Sequence, residues 1–182
     1  MTTFLIIVII VLVLAFIMIL MVFFSIFFIF YTGVPYTPTP PNVIKKIIDA
    51  LQIQEGQVVF DLGCGDGRFL FAAESAGARA VGFELSPTIY LKARLLKLFK
   101  GSRSKIYYRN FFSPNLGDAD IIFCFLTGAV MERLEKKLNI ELKTGAKVVS
   151  YGFFFPNWNV TNTILPDPEK DKTGSKIFIY QK

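Results

Sequence analysis

Val59-Phe60-Asp61-Leu62-Gly63-Cys64-Gly65-Asp66-Gly67-Arg68 decides how this chain is read. Apolar residues lead into an acid, three glycines alternate with other residues, and a helical pattern follows over 68–76. A buried strand that ends in a glycine-rich turn and opens onto a helix is the start of a βα unit. Gly63, Gly65 and Gly67 let the backbone turn tightly and let a ligand approach closely. In open α/β sheets, ligands lie beyond the carboxyl ends of the strands, near the point where strand order reverses. A cofactor site is therefore expected at this turn.

Working outward, short apolar runs alternate with helical patterns. Strands are expected over 57–61, 80–84, 105–109 and 120–125, with a fifth inside 145–155. Helices are expected over 42–51, 68–76, 87–100 and 130–141. Val43, Ile44, Ile47, Ile48 and Leu51 form one stripe of the first of these. Ser86-Pro87 supplies a cap and a first-turn proline for the third. The unbroken apolar run of the fourth strand marks it as central and buried on both faces. Strands separated by helices give βαβ units and a mainly parallel sheet. Two further strands, 158–164 and 176–180, flank a polar turn without a helix between them, so they are expected to pair antiparallel at one edge.

The chemistry of the turn narrows the ligand. A pyrophosphate site has G-x-G-x-x-G opening a helix, and a Walker loop ends in Gly-Lys-Ser/Thr. Neither pattern is present. Asp61 would repel a pyrophosphate, but it suits a ligand bearing an ammonium and a sulfonium, which favours S-adenosylmethionine over NAD. The bland alternative is a tight turn that holds nothing. Glu84 ends the second strand, where a carboxylate can accept both hydroxyls of a ribose; otherwise it is a charge ahead of a helix. Asn110 could read the edge of adenine and Phe111 could stack on its ring, although twenty Phe in the chain make packing a common fate for that residue. Leu126 and Thr127 end the fourth strand, which should lie beside the first, so both are expected to border the reaction centre. Cys64 is expected as a small packing group.

Composition sets the outer limits. The first charged side chain is Lys45, and residues 4–31 are almost entirely Ile, Val, Leu, Phe and Met. About 20 such residues cross a bilayer. With no basic n-region and no Ala-x-Ala site, an uncleaved span fits better than a signal peptide. The chain thus divides into a transmembrane helix (1–31), a Pro-rich connector (32–41) and a catalytic domain (42–182). Lys45 and Lys46 follow the span, and the positive-inside rule then keeps the domain on the cytoplasmic side. Formal charge is +6, with basic residues clustered from Lys92 to Lys105. These could meet lipid headgroups, a nucleic acid or an acidic protein, or simply be solvated. Two cysteines and no histidine argue against a disulfide framework and a zinc cluster. Proton removal must use Asp, Glu, Lys, Tyr or solvent.

Asp61 to Gly67 resembles motif I of class I S-adenosylmethionine-dependent methyltransferases. The order of motifs resembles the single-span lysine methyltransferases that modify the adenine nucleotide translocase and the ATP synthase c-subunit. The matching pieces are Val34-Pro35-Tyr36-Thr37-Pro38, the glycine turn, Val81-Gly82-Phe83-Glu84-Leu85-Ser86-Pro87, Val130-Met131-Glu132-Arg133-Leu134, Gly145-Ala146-Lys147-Val148-Val149-Ser150 and Phe155-Pro156-Asn157-Trp158. The resemblance implies a Rossmann-like, seven-stranded methyltransferase sheet closed by an antiparallel hairpin. It also implies that the pre-motif segment lies over the cofactor, making Tyr36 a lid or substrate contact. Asn110 departs from the family, which commonly has Asp there; an amide still donates and accepts.

The expected function is methyl transfer from S-adenosylmethionine to a protein lysine near a membrane, with S-adenosylhomocysteine as product. Asp61, Gly63, Gly65, Gly67, Glu84, Asn110, Phe111 and Leu126 are expected to hold the donor. Tyr36, Asp66, Leu126 and Trp158 are expected to rim a cavity for the lysine stem. The partners are the bilayer and a protein substrate, itself a candidate membrane protein, with no metal and no dedicated nucleic-acid module. The competing readings are a methyltransferase for a membrane-associated small molecule or lipid, one for nucleic acid, and a scaffold retaining a degenerate cofactor fold.

Overall fold

A computed structural model describes residues 2–32, 36–165 and 174–182. Gly33, Val34 and Pro35 of the connector and most of the polar turn of the tail lie outside the described residues. The chain forms two units, Met1–Pro35 and Tyr36–Lys182.

The first unit holds α1, Thr2–Thr32. Within it, Thr3–Phe24 is long and apolar enough to cross a membrane by length and composition. Its 22 residues span about 33 Å at 1.5 Å per residue, against about 30 Å of bilayer hydrocarbon.

The second unit begins with α2, Pro41–Leu51. Pro41 sits in the first turn, where its missing N–H costs nothing, so the helix starts one residue before the expected Asn42. Val43, Ile44, Ile47 and Leu51 are its buried stripe. The elements that follow are β1 (Val58–Leu62), α3 (Arg68–Ser75), β2 (Arg79–Glu84), α4 (Pro87–Phe99), β3 (Lys105–Tyr108), β4 (Ile121–Cys124), α5 (Gly128–Glu141), β5 (Lys147–Tyr151), β6 (Asn162–Ile164) and β7 (Ile177–Gln181). The seven strands make one sheet in the order β3-β2-β1-β4-β5-β7-β6. The first five are parallel, while β7 runs antiparallel to β5 and β6. This is the expected Rossmann-like sheet with a terminal hairpin.

Strand order reverses between β1 and β4. The crossovers from β1 to β2 and from β4 to β5 therefore run in opposite directions and, being right-handed, put α3 and α5 on opposite faces. One core joins α2 and α3 to Val59, Ile121, Phe123, Val149, Tyr151 and Ile177. Phe69 of α3 stacks on Phe123 of β4, with ring centroids 4.1 Å apart. A second core packs Cys64, Leu70 and Phe71 against Ala80, Ala93 and Ile106. All four residues of β4 are buried, as a central strand requires. β6 is shorter than expected and excludes Trp158, because the chain after Pro156 turns to lay the indole on Phe155 and Tyr180.

Candidate active site at the first strand–helix turn

Leu62 pairs with Phe83, so β1 and β2 end together. The glycine turn begins at that level. The amides of Gly63 and Cys64 both donate to the Phe83 carbonyl at 2.9 Å, which bends the chain sharply off β1. Gly63, Gly65 and Gly67 have φ of 83°, 55° and 84°, a region that L side chains rarely adopt. Gly67 is also the residue ahead of α3, and a Cβ there would come 2.8 Å from the Phe71 ring. Cys64 is buried under the turn, and a Cβ on Gly82 would strike its sulfur at 2.7 Å. That close packing gives Cys64 the expected structural part. Burial, with Asp61 and Glu84 nearby, pushes its thiol well up, so it is no thiolate nucleophile.

Asp61 is only 2 % exposed. Among the described residues, no donor bonds its carboxylate. Burial first, then the charges of Glu84 and Asp66, raise its pKa well above the usual carboxylate range. A buried acid beside two others, with no cation paired to it among the described residues, has the electrostatics that would suit a cationic ligand.

Glu84 is wired into the turn. Its Oε2 accepts the Gly65 amide at 2.9 Å, and its Oε1 accepts the amides of Leu85 (2.8 Å) and Ser86 (2.7 Å). Burial nevertheless raises its pKa. One carboxylate thus ties the glycine turn to the start of α4, a role the sequence reading did not include, and three amides already occupy it.

Asp66 is 4 % exposed and forms the hub of a second network. Arg68 grips it with two bonds, Nε to Oδ1 at 2.9 Å and Nη2 to Oδ2 at 2.7 Å. Lys92 of α4 stands 3.4 Å from Oδ2, and the Tyr36 hydroxyl also favours the charged form of the same carboxylate. Arg68 also donates to the Thr39 carbonyl at 3.1 Å. Burial opposes the charge on Asp66, but the bond and charge of Arg68, with Tyr36 and Lys92, overcome it and hold the pKa at about 2. Asp66 is therefore an ionised anchor at neutral pH and cannot take a proton there.

That anchor brings the connector to the glycine turn. A Cβ on Gly65 would meet the Tyr36 ring at 2.9 Å, so the ring lies directly against this glycine. Lys92 closes the outer side, 3.4 Å from the Tyr36 hydroxyl and 5.4 Å from the ring centre. Burial and Asp66 raise the Tyr36 pKa, keeping the hydroxyl protonated. On the inner side, the buried Leu126 packs 3.3 Å from where a Gly63 Cβ would stand. Asn110 turns its Oδ1 onto the Phe112 amide at 3.0 Å, bending the chain after β3. The Phe111 and Phe112 rings lie tilted to each other with centroids 4.6 Å apart, and Arg133 of α5 lies 4.0 Å over the Phe112 ring.

Trp158 does not join this group. Its indole donates to Asn139, near the end of α5, at 3.0 Å, and Lys182 lies over its ring. Lys182 in turn donates its amide to Ala146, just before β5. The start of β5 and the end of α5 are at the opposite end of the sheet from the glycine turn. Of the four residues expected at the rim, Tyr36, Asp66 and Leu126 lie at the glycine turn and Trp158 lies apart from them. An aromatic after a Phe-Pro-Asn turn reads equally as a lid or as edge packing, and only the strand direction separates the two. Thr39, Arg68 and Lys92 were missed as members of the site. Arg68 carried a signal, standing two residues after a motif acid; Lys92 was hidden among the basic residues of α4.

Residues 61–162 match the family described as ANTKMT methyltransferase domain. The chain is 35% identical over 152 residues to a protein-lysine N-methyltransferase of Saccharolobus islandicus, covering 81% of this chain and 92% of that protein. It is 33% identical over 132 residues to the ATP synthase c-subunit lysine N-methyltransferase of Rattus norvegicus, covering 71% of this chain but 61% of that one. The adenine nucleotide translocase lysine N-methyltransferase of Mus musculus is 36% identical over 128 residues, covering 69% of this chain and 56% of its own length. The chain thus spans little more than half of these mammalian relatives. Among solved structures, an RNA methyltransferase from Salinibacter ruber in complex with S-adenosyl-L-homocysteine superposes with a TM-score of 0.72 at 28% identity, covering 80% of this chain and 93% of that one. With a glycine turn, a buried unpaired acid and this sheet order already in place, the chain belongs to the ANTKMT methyltransferase domain family and is an S-adenosylmethionine-dependent methyltransferase.

Proposed function

We propose that this chain is a membrane-anchored protein-lysine N-methyltransferase whose helix α1 spans the bilayer and whose domain, residues 42–182 reached through the connector 32–41, lies on the cytoplasmic side. The observation that carries the catalytic half is the buried Asp61 carboxylate, without a donor among the described residues, beside the positive-φ glycine turn. The lysine acceptor is supported by the relatives' activities, and the anchor by the length and composition of Thr3–Phe24. Orientation rests on Lys45 and Lys46 after the span.

The residues present fit the donor. Asp61 would neutralise its positive charge, Gly63, Gly65 and Gly67 would let it approach the backbone, and Glu84 would meet the ribose with its remaining lone pairs. Asn110 and Phe111 would border the adenine, and Leu126 would wall the reaction centre. Bound there, S-adenosylmethionine supplies an electrophilic methyl group on a sulfonium.

The protein's part is positioning and exclusion of water. Arg68 holds Asp66 and Thr39, and through them keeps Tyr36 against Gly65. The acceptor must arrive as a neutral amine. Histidine is absent, Asp66 titrates at about 2, and Tyr36 stays protonated. No group at the rim removes a proton at neutral pH, so the lysine loses its proton to solvent, favoured by desolvation against Tyr36 and Leu126.

Native membranes incubated with the chain and methyl-labelled S-adenosylmethionine test this reading. Label on lysine side chains of the protein fraction is the expected result. Label only in the lipid extract would transfer the activity to a lipid or small molecule, and no label would leave a scaffold.

A further inference from the structure

The outer face of α4 is not that of a solvated helix. Leu91, Leu95, Leu98 and Phe99 are 59%, 49%, 75% and 84% exposed. Their spacing of i, i+4, i+7 and i+8 puts them on one ridge. Ala93, buried against β2 and β3, lies on the opposite side. Arg94 and Lys92 flank the ridge, and Lys97, Lys100, Arg103 and Lys105 extend the charge. No Asp or Glu occurs between Pro87 and Gly117. On the adjoining edge strand β3, Tyr107 and Tyr108 are also exposed, at 45% and 54%. One carboxylate from outside the segment, Glu74 of α3, is taken up by the Arg103 and Ser104 amides and the Ser104 hydroxyl. A ridge of large apolar side chains on a predominantly basic surface suits one kind of partner. Nucleic acid would satisfy the cations and leave the leucines in water. A lipid interface accepts both, taking the ridge into the headgroup boundary and the cations onto phosphates.

The chain path agrees. Tyr36, the first residue of the catalytic unit, is 3.4 Å from Lys92 in the second turn of α4. Only Gly33, Val34 and Pro35 stand between Tyr36 and the last residue of α1 in sequence. Within the catalytic unit, the basic apolar face therefore lies beside Tyr36, the unit's first residue.

We propose that α4 is a membrane-contact helix that seats the catalytic unit on an anionic leaflet through Leu91, Leu95, Leu98 and Phe99, with Arg94, Lys97, Lys100 and Arg103 on lipid phosphates. The proposal rests on the anchoring of α1. It goes further in fixing which face of the domain meets the bilayer, and hence that Tyr36 and Lys92 lie close to the lipid surface.

The test uses the full chain in vesicles of phosphatidylcholine with or without phosphatidylserine. Spin labels are attached at Leu95→Cys or Leu98→Cys, and at Ile140→Cys on α5, which is 85% exposed and off this face. The chain's own Cys64 and Cys124 are buried. Preserved S-adenosylhomocysteine binding and circular dichroism establish that each labelled chain is folded. With phosphatidylserine present, the α4 labels should gain accessibility to oxygen and lose accessibility to a water-soluble nickel complex. The Ile140→Cys label should stay aqueous, and high salt should return the α4 labels toward the aqueous values. Chain that floats with the vesicles while its α4 labels match the Ile140→Cys label overturns the membrane-contact helix and leaves the anchor intact. Chain that does not float overturns both. Labels that become protected only when a membrane-protein substrate is added assign the ridge to a protein partner and also overturn the proposal.

Discussion

Asp61→Asn should have two effects of opposite sign. In the ligand-free chain, Asp61 is a buried acid with a raised pKa and two neighbouring carboxylates. The folded state then keeps a proton that the unfolded state loses as pH rises above 3.8. Stability falls through that window up to the raised folded pKa, and an uncharged Asn avoids the loss. At neutral pH the ligand-free variant should melt higher than the native chain. In the complex the sign reverses. An exposed ion pair contributes about 0–1 kcal/mol, but Asp61 is 2 % exposed, so its pairing with a cationic donor belongs to the buried class. Losing one partner there costs about 3–5 kcal/mol. At 1.4 kcal/mol per tenfold, S-adenosylmethionine should bind roughly a hundredfold to a few thousandfold more weakly. Titration calorimetry in buffers of different ionisation enthalpy adds a third readout: the native chain releases a proton on binding near the raised pKa, and the variant does not. Unchanged affinity, or a lower melting temperature for the ligand-free variant, refutes the assignment of Asp61 as the unpaired acid that receives the donor.

Three other outcomes are expected. If solvent takes the proton from the acceptor lysine, kcat/KM should rise about tenfold per pH unit below the acceptor's pKa; a plateau near neutrality would reveal a base within the site. Asp66 has its pKa lowered from 3.8 to about 2, so its ion pairs contribute stability above pH 3.8 that is lost as pH falls toward 2; in acid melts, Asp66→Asn should show less loss than the native chain across that interval. Gly65→Ala places a Cβ at φ 55°, 2.9 Å from the Tyr36 ring, and should cost about 1–3 kcal/mol in thermal unfolding while raising KM for the acceptor as the ring is displaced. A Gly65→Ala chain with native stability and native KM would separate Tyr36 from the acceptor path.

Much of this protein was legible before folding because its signals are local. The strand-turn-helix at 59–68 declares itself through an apolar run, alternating glycines and a helical stripe, all within one βα unit. The three glycines do take positive φ, as their spacing implies. The alternation of elements gives a parallel sheet with a terminal hairpin, and the unbroken apolar run at Ile121–Cys124 is the buried central strand. The boundaries moved where a single residue shifts the balance: Pro41 extends α2 at its start, and α5 begins at Gly128 rather than Val130.

What a carboxylate does when several donors compete was decided only in three dimensions. The end of a strand marks Glu84 as a ribose acceptor, and the register of β1 on β2 adds the Gly65 amide, 2.9 Å from its carboxylate. Asp66 was read as part of a cavity wall, and Arg68 with Lys92 makes it a fixed anion. Trp158 follows the same rule. Its neighbourhood depends on the direction in which the chain leaves β5, and that direction is set by how β6 and β7 pair, which residues near Trp158 do not encode. Periodicity, turns and glycine conformation are properties of adjacent residues, so the amino-acid sequence alone determined them. The partners of each buried charge come from segments far apart in the chain, and only the packed sheet brings those segments within hydrogen-bonding reach.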